Sequence, residues 1–127
     1  DLLAGNDCFS GQAERKGVVP IVLVPGFLGP GFDAKKADRG SAWYKYWGEA
    51  ENLGNDSSPI LCAWPSGLAG MHDRACELFA QIKGGVVDYG EEHSLKFGHD
   101  RFGREYEGLH PDWSAESPIH IVGHSLG

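Results

Sequence analysis

The sequence predicts an α/β fold in which parallel strands are joined by a crossover helix. Short apolar runs without polar alternation recur at residues 18–24, 59–64 and 118–122. Glycine and proline follow each of the first two runs, and one amphipathic helical stretch lies between the second run and the third. Strands that are buried on both faces of a parallel sheet and linked by a helix produce this pattern.

Length and charge restrict the classes of protein. The 127 residues suffice for one domain at most, and a hydrophobic content of 41% suits a packed core. The 18 acidic and 11 basic residues give a formal charge of −7, which disfavours nucleic acid and anionic membrane surfaces as partners. No apolar run reaches the roughly 18 residues of a membrane-spanning helix. The three cysteines leave two arrangements open, one disulfide with one free thiol or three buried thiols.

The first strand is predicted at VVPIVLV, residues 18–24, and the second at PILCAW, residues 59–64. The helix follows in MHDRACELFAQIKGG, residues 71–85, where apolar residues recur at helical spacing and paired glycines supply the end. We expect this apolar stripe to face the core; its members are Met71, Ala75, Leu78, Phe79 and Ile82.

The remaining segments are less regular. Periodicity fades over residues 86–113, which predicts a loop-rich insertion, and PIHIV at residues 118–122 is the third buried-strand candidate. An aromatic cluster precedes the second strand and contains Trp43, Tyr44, Tyr46 and Trp47. Packing under a loop is the favoured interpretation of this cluster, and a substrate-facing surface is the alternative.

Residues 123–127, GHSLG, fit the pattern G-x-S-x-G, in which a serine nucleophile occupies a strained turn, the elbow, between a strand and a helix. Gly123 and Gly127 would leave room for neighbouring backbone while Ser125 projects toward substrate. Because 19 of the 127 residues are glycine, five letters alone are weak support. The position directly after a predicted buried strand strengthens the hypothesis.

A serine nucleophile needs a base for its proton and preset donors for the oxyanion that forms. The backbone N–H of Leu126 is one candidate donor, and the N–H of Phe27, in the loop after the first strand, is the other. A plain glycine-proline turn is the alternative for that loop, whereas the spacing of a phosphate-binding loop is absent. The acid and the base of such folds follow the nucleophile in chain order, so we expect them beyond Gly127.

Asp73, His93 and His99 form a second candidate site. Carboxylate and neutral imidazole together suit zinc, and one further ligand would complete a tetrahedral structural site. Spacing alone does not establish this, because a carboxylate is favoured in the first turn of a helix and loop histidines are commonly solvated. The sequence lacks H-E-x-x-H, so a catalytic metalloprotease site is not indicated.

Four blocks carry a family resemblance: VPIVLVPGFLG, WYKYWG, HDRACELFAQIKGGVVDYGEEHSLKFGHDRFGREYEG and PIHIVGHSLG. From Val18 to Gly127 the chain resembles the zinc-containing thermoalkalophilic lipases of bacilli and their plant lipase-like relatives. The resemblance implies an α/β-hydrolase fold and a lipase or esterase that hydrolyses acylglycerols or other carboxylic esters. It implies the serine nucleophile Ser125, the oxyanion-hole amides of Phe27 and Leu126, and the zinc ligands Asp73, His93 and His99.

Two departures from the family pattern stand out. Pro25 replaces a histidine before the oxyanion loop, and His72 replaces an aromatic residue, placing a potential competing ligand beside Asp73. In the family the fourth zinc ligand, the triad acid and histidine, a calcium site and the lid all lie further downstream.

We therefore expect residues 1–127 to be the amino-terminal part of an α/β-hydrolase domain, a partial fold with a loop-rich zinc-binding insertion at about 86–113. The fragment should be inactive alone, and the resemblance favours a secreted or endomembrane location. The alternative is a non-catalytic zinc-binding or interaction module in which Ser125 is a turn residue.

Overall fold

The structure, a computed structural model, describes residues 17–29 and 46–127. Within them the helices and strands are β1 (Ile21–Val24), a 3-10 helix (Gly48–Asn52), β2 (Ile60–Cys62), α1 (Met71–Lys83), β3 (Gly85–Asp88), α2 (Glu91–Phe97), β4 (Phe102–Tyr106) and β5 (His120–Gly123). Cys8, Trp43 and Tyr44 lie outside the described residues. None of the helices in these ranges is long and apolar enough to cross a membrane.

The three predicted strands form one parallel sheet in the order β2-β1-β5. Ile21 of the central strand pairs with Ile60 on one side and His120 on the other, and Val24 pairs with Gly123 at the carboxyl end. The predicted α/β fold with parallel strands is confirmed. Because β1 and β5 are parallel neighbours, the loops that follow them leave the same edge of the sheet side by side.

Burial differs strongly across this sheet. Three of the four β1 residues are buried, as predicted, whereas β2 is half-buried and every residue of β5 is exposed. The prediction of a strand at 118–122 is confirmed, but the prediction of its burial is wrong for the described residues. The reason is position, since β5 is an edge strand of this sheet and no described element covers its side chains.

Helix α1 begins at Met71 and ends at Lys83, close to the predicted bounds, and Gly84 follows with a φ of 91° that ends the helical path. Its predicted apolar stripe is only partly buried. Ile82 joins the core around Val22, whereas Met71 is 63% exposed and Phe79 57% exposed.

Polar side chains occupy much of the buried face of α1. Arg74 and Gln81 are both buried. Arg74 Nη1 donates to the Ser66 carbonyl at 2.6 Å and Nη2 donates to the Pro25 carbonyl, while Gln81 Oε1 accepts from the Trp64 amide at 2.6 Å. The prediction of a buried face from apolar residues alone missed these two side chains. They are buried because they bond backbone groups of the loops after β1 and β2, and no local sequence pattern reveals such distant partners.

The segment predicted as a loop-rich insertion, 86–113, is largely regular and corrects that prediction. β3 and β4 pair as an antiparallel ladder on either side of α2. A two-pronged ion pair fastens the ladder, with Arg101 Nε donating to Asp88 Oδ1 and Nη2 to Oδ2, each at 2.9 Å, and it lowers the pKa of Asp88 to about 2. Short polar strands separated by a helix leave little periodicity, which explains the miss.

Candidate functional site

Ser125 lies directly after β5, at the edge of the sheet where β1 also ends. Its φ is 61°, a left-handed value that a residue with a side chain seldom adopts, and the residue is exposed. Holding such a conformation costs on the order of 1–3 kcal/mol, so the surrounding contacts must maintain it. The serine of the G-x-S-x-G pattern therefore occupies a strained, solvent-facing turn.

Both glycines of the elbow (residues 123–127) are needed sterically. A Cβ on Gly123 would overlap the Gly127 carbonyl, and one on Gly127 would overlap the Val24 carbonyl. The Gly127 amide closes the turn by donating to the His124 carbonyl at 3.0 Å. The His124 amide donates to the Val24 carbonyl at 3.1 Å. These contacts fasten the elbow to the end of β1.

A second turn, residues 26–29, faces the elbow. The Gly29 amide donates to the Gly26 carbonyl at 3.0 Å, and Leu28 has a φ of 59°. A Cβ on Gly26 would lie 2.6 Å from the Ser125 Cβ and 2.8 Å from the Leu126 nitrogen. The backbone of the 26–29 turn therefore packs directly on the elbow.

Within the described part of the chain, the amides of Phe27 and Leu126 have no hydrogen-bond partner. Phe27 is 56% exposed and Leu126 51% exposed, and they adjoin the contact between the two turns. Unpartnered backbone donors near a nucleophile can stabilise an oxyanion as it develops. In the described residues, each of the two turns therefore offers one such amide, Phe27 in the 26–29 turn and Leu126 in the elbow.

Tyr46 connects the two turns. Its Oη accepts a hydrogen bond from the Gly26 amide at 3.0 Å and lies 2.6 Å from His124 Nδ1. The favoured interpretation of the aromatic cluster was packing. It accounts for the ring contacts of Tyr46, whose ring lies edge-on to that of Trp47 with centroids 5.1 Å apart. The hydrogen bonds to the elbow were not predicted, since 78 residues separate Tyr46 from His124 and no local pattern links them.

The second predicted site brings together Asp73 in the first turn of α1, His93 on α2 and His99 just beyond it. Asp73 Oδ1 lies 2.8 Å from His93 Nε2 and 3.8 Å from His99 Nε2. The His99 Nδ1 lies 2.9 Å from the Asp100 carbonyl oxygen, to which only an N–H can donate, so the lone pair of the neutral ring is on Nε2, toward Asp73.

Two of the three separations in this group bracket the spacing of zinc ligands. Zinc bonds of about 2.0–2.2 Å in a tetrahedron hold ligand atoms roughly 3.4 Å apart, and the two measured separations, 2.8 and 3.8 Å, lie on either side of that value. A ring N–H fixed by a backbone carbonyl, as in His99, is also the usual support of a metal-binding histidine.

His72 belongs to the same cluster. The ligand atoms of His72, Asp73 and His93 all lie within 4.8 Å of one another, a tighter group than the one that includes His99. The His72 ring stacks on that of His93 at 3.8 Å, and its Nε2 lies 2.8 Å from the Tyr89 carbonyl oxygen. With Nε2 donating to that carbonyl, only Nδ1 of His72 would be left to coordinate.

Burial and acidic neighbours raise two pKa values beside the cluster. Burial and then the Glu77 carboxylate raise the pKa of Tyr89 to about 12, and its hydroxyl donates to Glu77 Oε1 at 3.1 Å. Burial and then the charge of Asp73 raise the pKa of the Cys76 thiol. Cys76 forms no disulfide within the described residues.

The fold agrees with a comparison across protein families. The family described as "Lipase-like, C-terminal domain" matches residues 17–127, and the chain belongs to it. The predicted lipase resemblance is confirmed at this level. A specific tie to the zinc lipases of bacilli and their plant relatives stays a prediction.

Individual relatives support the same membership. Lipase 1 of Staphylococcus aureus (strain N315) is 40% identical over 121 residues, which cover 91% of this chain and 17% of that protein. EstA from Clostridium botulinum superposes with a TM-score of 0.69 at 43% identity, covering 86% of this chain and 25% of EstA. For Staphylococcus hyicus lipase the TM-score is 0.70 at 38% identity, covering 88% and 30%. The chain thus spans about 17% of the length of its curated relatives.

Proposed function

We propose that the intact protein is a serine lipase or esterase that hydrolyses acylglycerols or other carboxylic esters through an acyl-enzyme. Family membership supports the ester-hydrolase class. The observation that carries the residue assignment is the strained, exposed Ser125 next to two turn amides, those of Phe27 and Leu126, which have no partner among residues 17–29 and 46–127.

In the proposed reaction, Ser125 Oγ attacks the ester carbonyl carbon and gives its proton to a base. The amides of Phe27 and Leu126 bind the oxyanion of the tetrahedral intermediate, which collapses to the acyl-enzyme and releases the alcohol. Water then attacks the acyl carbon and frees the carboxylic acid. His124 is a poor candidate for the base, because its Nδ1 is engaged with Tyr46.

We further propose that residues 1–127 form the amino-terminal part of the hydrolase domain, and that the base and its orienting acid come from the remainder of the protein. Without them the rate should fall by about a million-fold, so these residues alone should be inactive. A secreted or endomembrane location stays a prediction that fractionation of expressing cells tests.

A structural zinc ion is the proposed occupant of the second site, held by Asp73, His93, His99 and one ligand outside this chain. The ion would fasten α1 to the end of α2, and the 2.8 and 3.8 Å separations support this role. Elemental analysis of the intact protein should find about one zinc per chain, lost in His93→Ala and kept in the control His110→Ala. A metal-free, well-folded wild type would contradict the proposal. The same analysis tests the family's calcium site.

The second candidate is a non-catalytic zinc-binding or interaction module. The close grouping of His72, Asp73 and His93 favours it, because that cluster does not depend on Ser125. In such a module Ser125 would be an ordinary turn residue, and replacing it would have no functional consequence.

Ester hydrolysis by the intact protein distinguishes the two. We expect turnover of a short-chain nitrophenyl ester or an emulsified triacylglycerol, and a loss of about 10⁵- to 10⁶-fold in kcat for Ser125→Ala. The control Ser57→Ala, on an exposed turn, should keep wild-type activity. Activity that survives Ser125→Ala would refute the assignment.

A further inference from the structure

The hydroxyl of Tyr46 lies at the junction of the two turns that flank Ser125. We propose that Tyr46 is a positioning residue that holds the 26–29 turn against the elbow and thereby sets the distance between the two oxyanion donors. This inference rests on the proposed hydrolase function and names a residue that would tune it. In this proposal Tyr46 does not touch the substrate. It acts through its hydrogen bonds to Gly26 and His124.

The backbone amide fixes the direction of one hydrogen bond, and we assign the direction of the other. The Gly26 amide can only donate, so Tyr46 Oη accepts from it at 3.0 Å. The phenolic proton is then free to be donated to His124 Nδ1, 2.6 Å away. Assigning the acceptor role to Nδ1 requires that this nitrogen carry no proton. One hydroxyl thus accepts from the residue before Phe27 and donates to the residue before Ser125.

Neighbouring rings fix the place of this hydroxyl. The Tyr46 ring lies edge-on to those of Trp47, Trp64 and His124, with centroids 5.1, 6.5 and 5.6 Å away. Trp64 is buried at 5% exposure and belongs to the end of the core. A phenol seated on the core in this way offers a hydroxyl that is rigid before substrate arrives, as preorganised catalysis requires.

The two turns need such a connection because both are strained. Leu28 and Ser125, which are the non-glycine residues with positive φ in the described ranges, occupy one turn each. Backbone in these regions persists only where surrounding structure restrains it. Gly26 packs on the elbow without a side chain of its own, and the Tyr46 hydroxyl joins the two turns by bonding the Gly26 backbone and the His124 side chain.

Removing the hydroxyl alone tests the role. In the intact enzyme we expect Tyr46→Phe to lower kcat by roughly 10- to 100-fold with KM within about twofold of wild type, since a misplacement of about 1 Å costs up to about 10²-fold in rate. A kcat effect without a KM effect separates misplaced oxyanion donors from lost substrate binding. Tyr106→Phe, the same change on β4 in the other sheet, is the control and should leave both constants unchanged.

A matched pair at His124 tests the second half of the bridge. His124→Asn keeps a hydrogen-bond acceptor near the position of Nδ1. His124→Leu introduces a side chain of similar size that has no acceptor. We expect His124→Leu to reproduce the kcat loss of Tyr46→Phe, His124→Asn to recover several-fold of it, and the Tyr46→Phe/His124→Leu double variant to be no slower than either single variant. Because His124 is exposed, these variants remain informative if Tyr46→Phe fails to fold.

The outcomes separate this inference from the function on which it rests. Ser125→Ala without activity, together with Tyr46→Phe or His124→Leu within about twofold of wild-type kcat, would overturn the positioning role and leave the hydrolase standing. Additive losses in the double variant would also overturn it, since the two groups would then act independently. If Ser125→Ala stays active, the hydrolase assignment fails and the positioning role fails with it.

Discussion

Gly26 makes the closest approach between the two turns, and its missing side chain is the most sensitive single feature of the site. We predict that Gly26→Ala reduces kcat/KM of the intact enzyme by at least about 100-fold, because the new Cβ would lie 2.6 Å from both Ser125 Cβ and the His124 carbonyl oxygen. Separating the turns to relieve this overlap costs typically about 1–3 kcal/mol of stability and moves the Phe27 amide. Ester kinetics and a urea titration measure the two effects.

Gly70→Ala provides the comparison at a glycine with open space around it. No atom lies within 4 Å of a Cβ placed there, and its φ is −65°, which alanine adopts freely. Because Gly70 caps the start of α1, where alanine is less favoured than glycine, we expect a stability loss of at most about 1 kcal/mol, with unchanged kinetics. Equal losses in both glycine variants would show that the contact of Gly26 with the elbow has no special role.

At the level of single residues, the sequence predicts what depends on local steric rules and misses what depends on distant partners. Ser125 and its flanking glycines stand out because the elbow pattern is contained in five residues. The Phe27 amide follows from its place after β1. The hydroxyl of Tyr46 cannot be assigned in this way, because its partners Gly26 and His124 are 20 and 78 residues away.

Among the elements, α1 supports the site through the buried side chain of Arg74. Its guanidinium donates to the Pro25 and Ser66 carbonyls and so joins the loops after β1 and β2. We predict that Arg74→Met destabilises the intact protein by about 3 kcal/mol, since two buried carbonyls lose charged donors, and that kcat also falls because Pro25 precedes the 26–29 turn. Urea denaturation and ester kinetics report the two effects.

Lys96→Met is the matched change on the surface of α2, where the ammonium lies 5.4 Å from the Phe97 ring. Its stability should change by less than about 1 kcal/mol, and its kinetics should not change. If Arg74→Met were equally mild, α1 would be held by its apolar contacts alone and the loops would not need the guanidinium.

The elements themselves were predictable to different degrees. The strands of the parallel sheet and α1 are recognisable because each is one continuous apolar or periodic run. The β3–β4 ladder was missed because its strands, GVVD and FGREY, are short and carry few apolar residues in alternation, and an ion pair between Asp88 and Arg101 fastens them. The buried face of α1 was misjudged because polar side chains, rather than apolar ones, satisfy the neighbouring loops.

On the scale of the whole molecule, apolar surface lies uncovered in the described residues. Ile121 and Val122 on β5 and Phe79 on α1 are about half exposed, at 51%, 46% and 57%. Both β2 and β5 are edges of the parallel sheet. Exposed apolar patches beside open strand edges promote association.

We predict that residues 1–127 produced alone will bind a hydrophobic dye such as ANS and elute from a sizing column as mixed oligomers. The longer protein should bind little dye. A monodisperse 127-residue monomer that unfolds cooperatively and binds no dye would contradict this expectation and would mean that the exposed faces need no cover.

The most direct test of the proposed chemistry is covalent labelling of the intact protein with a fluorophosphonate, followed by mass spectrometry of the modified peptide. If an activated serine faces two waiting amides, the adduct maps to Ser125, and Ser125→Ala takes up no label. An adduct on any other residue, or label that persists in the alanine variant, would contradict the assignment of Ser125 as the nucleophile.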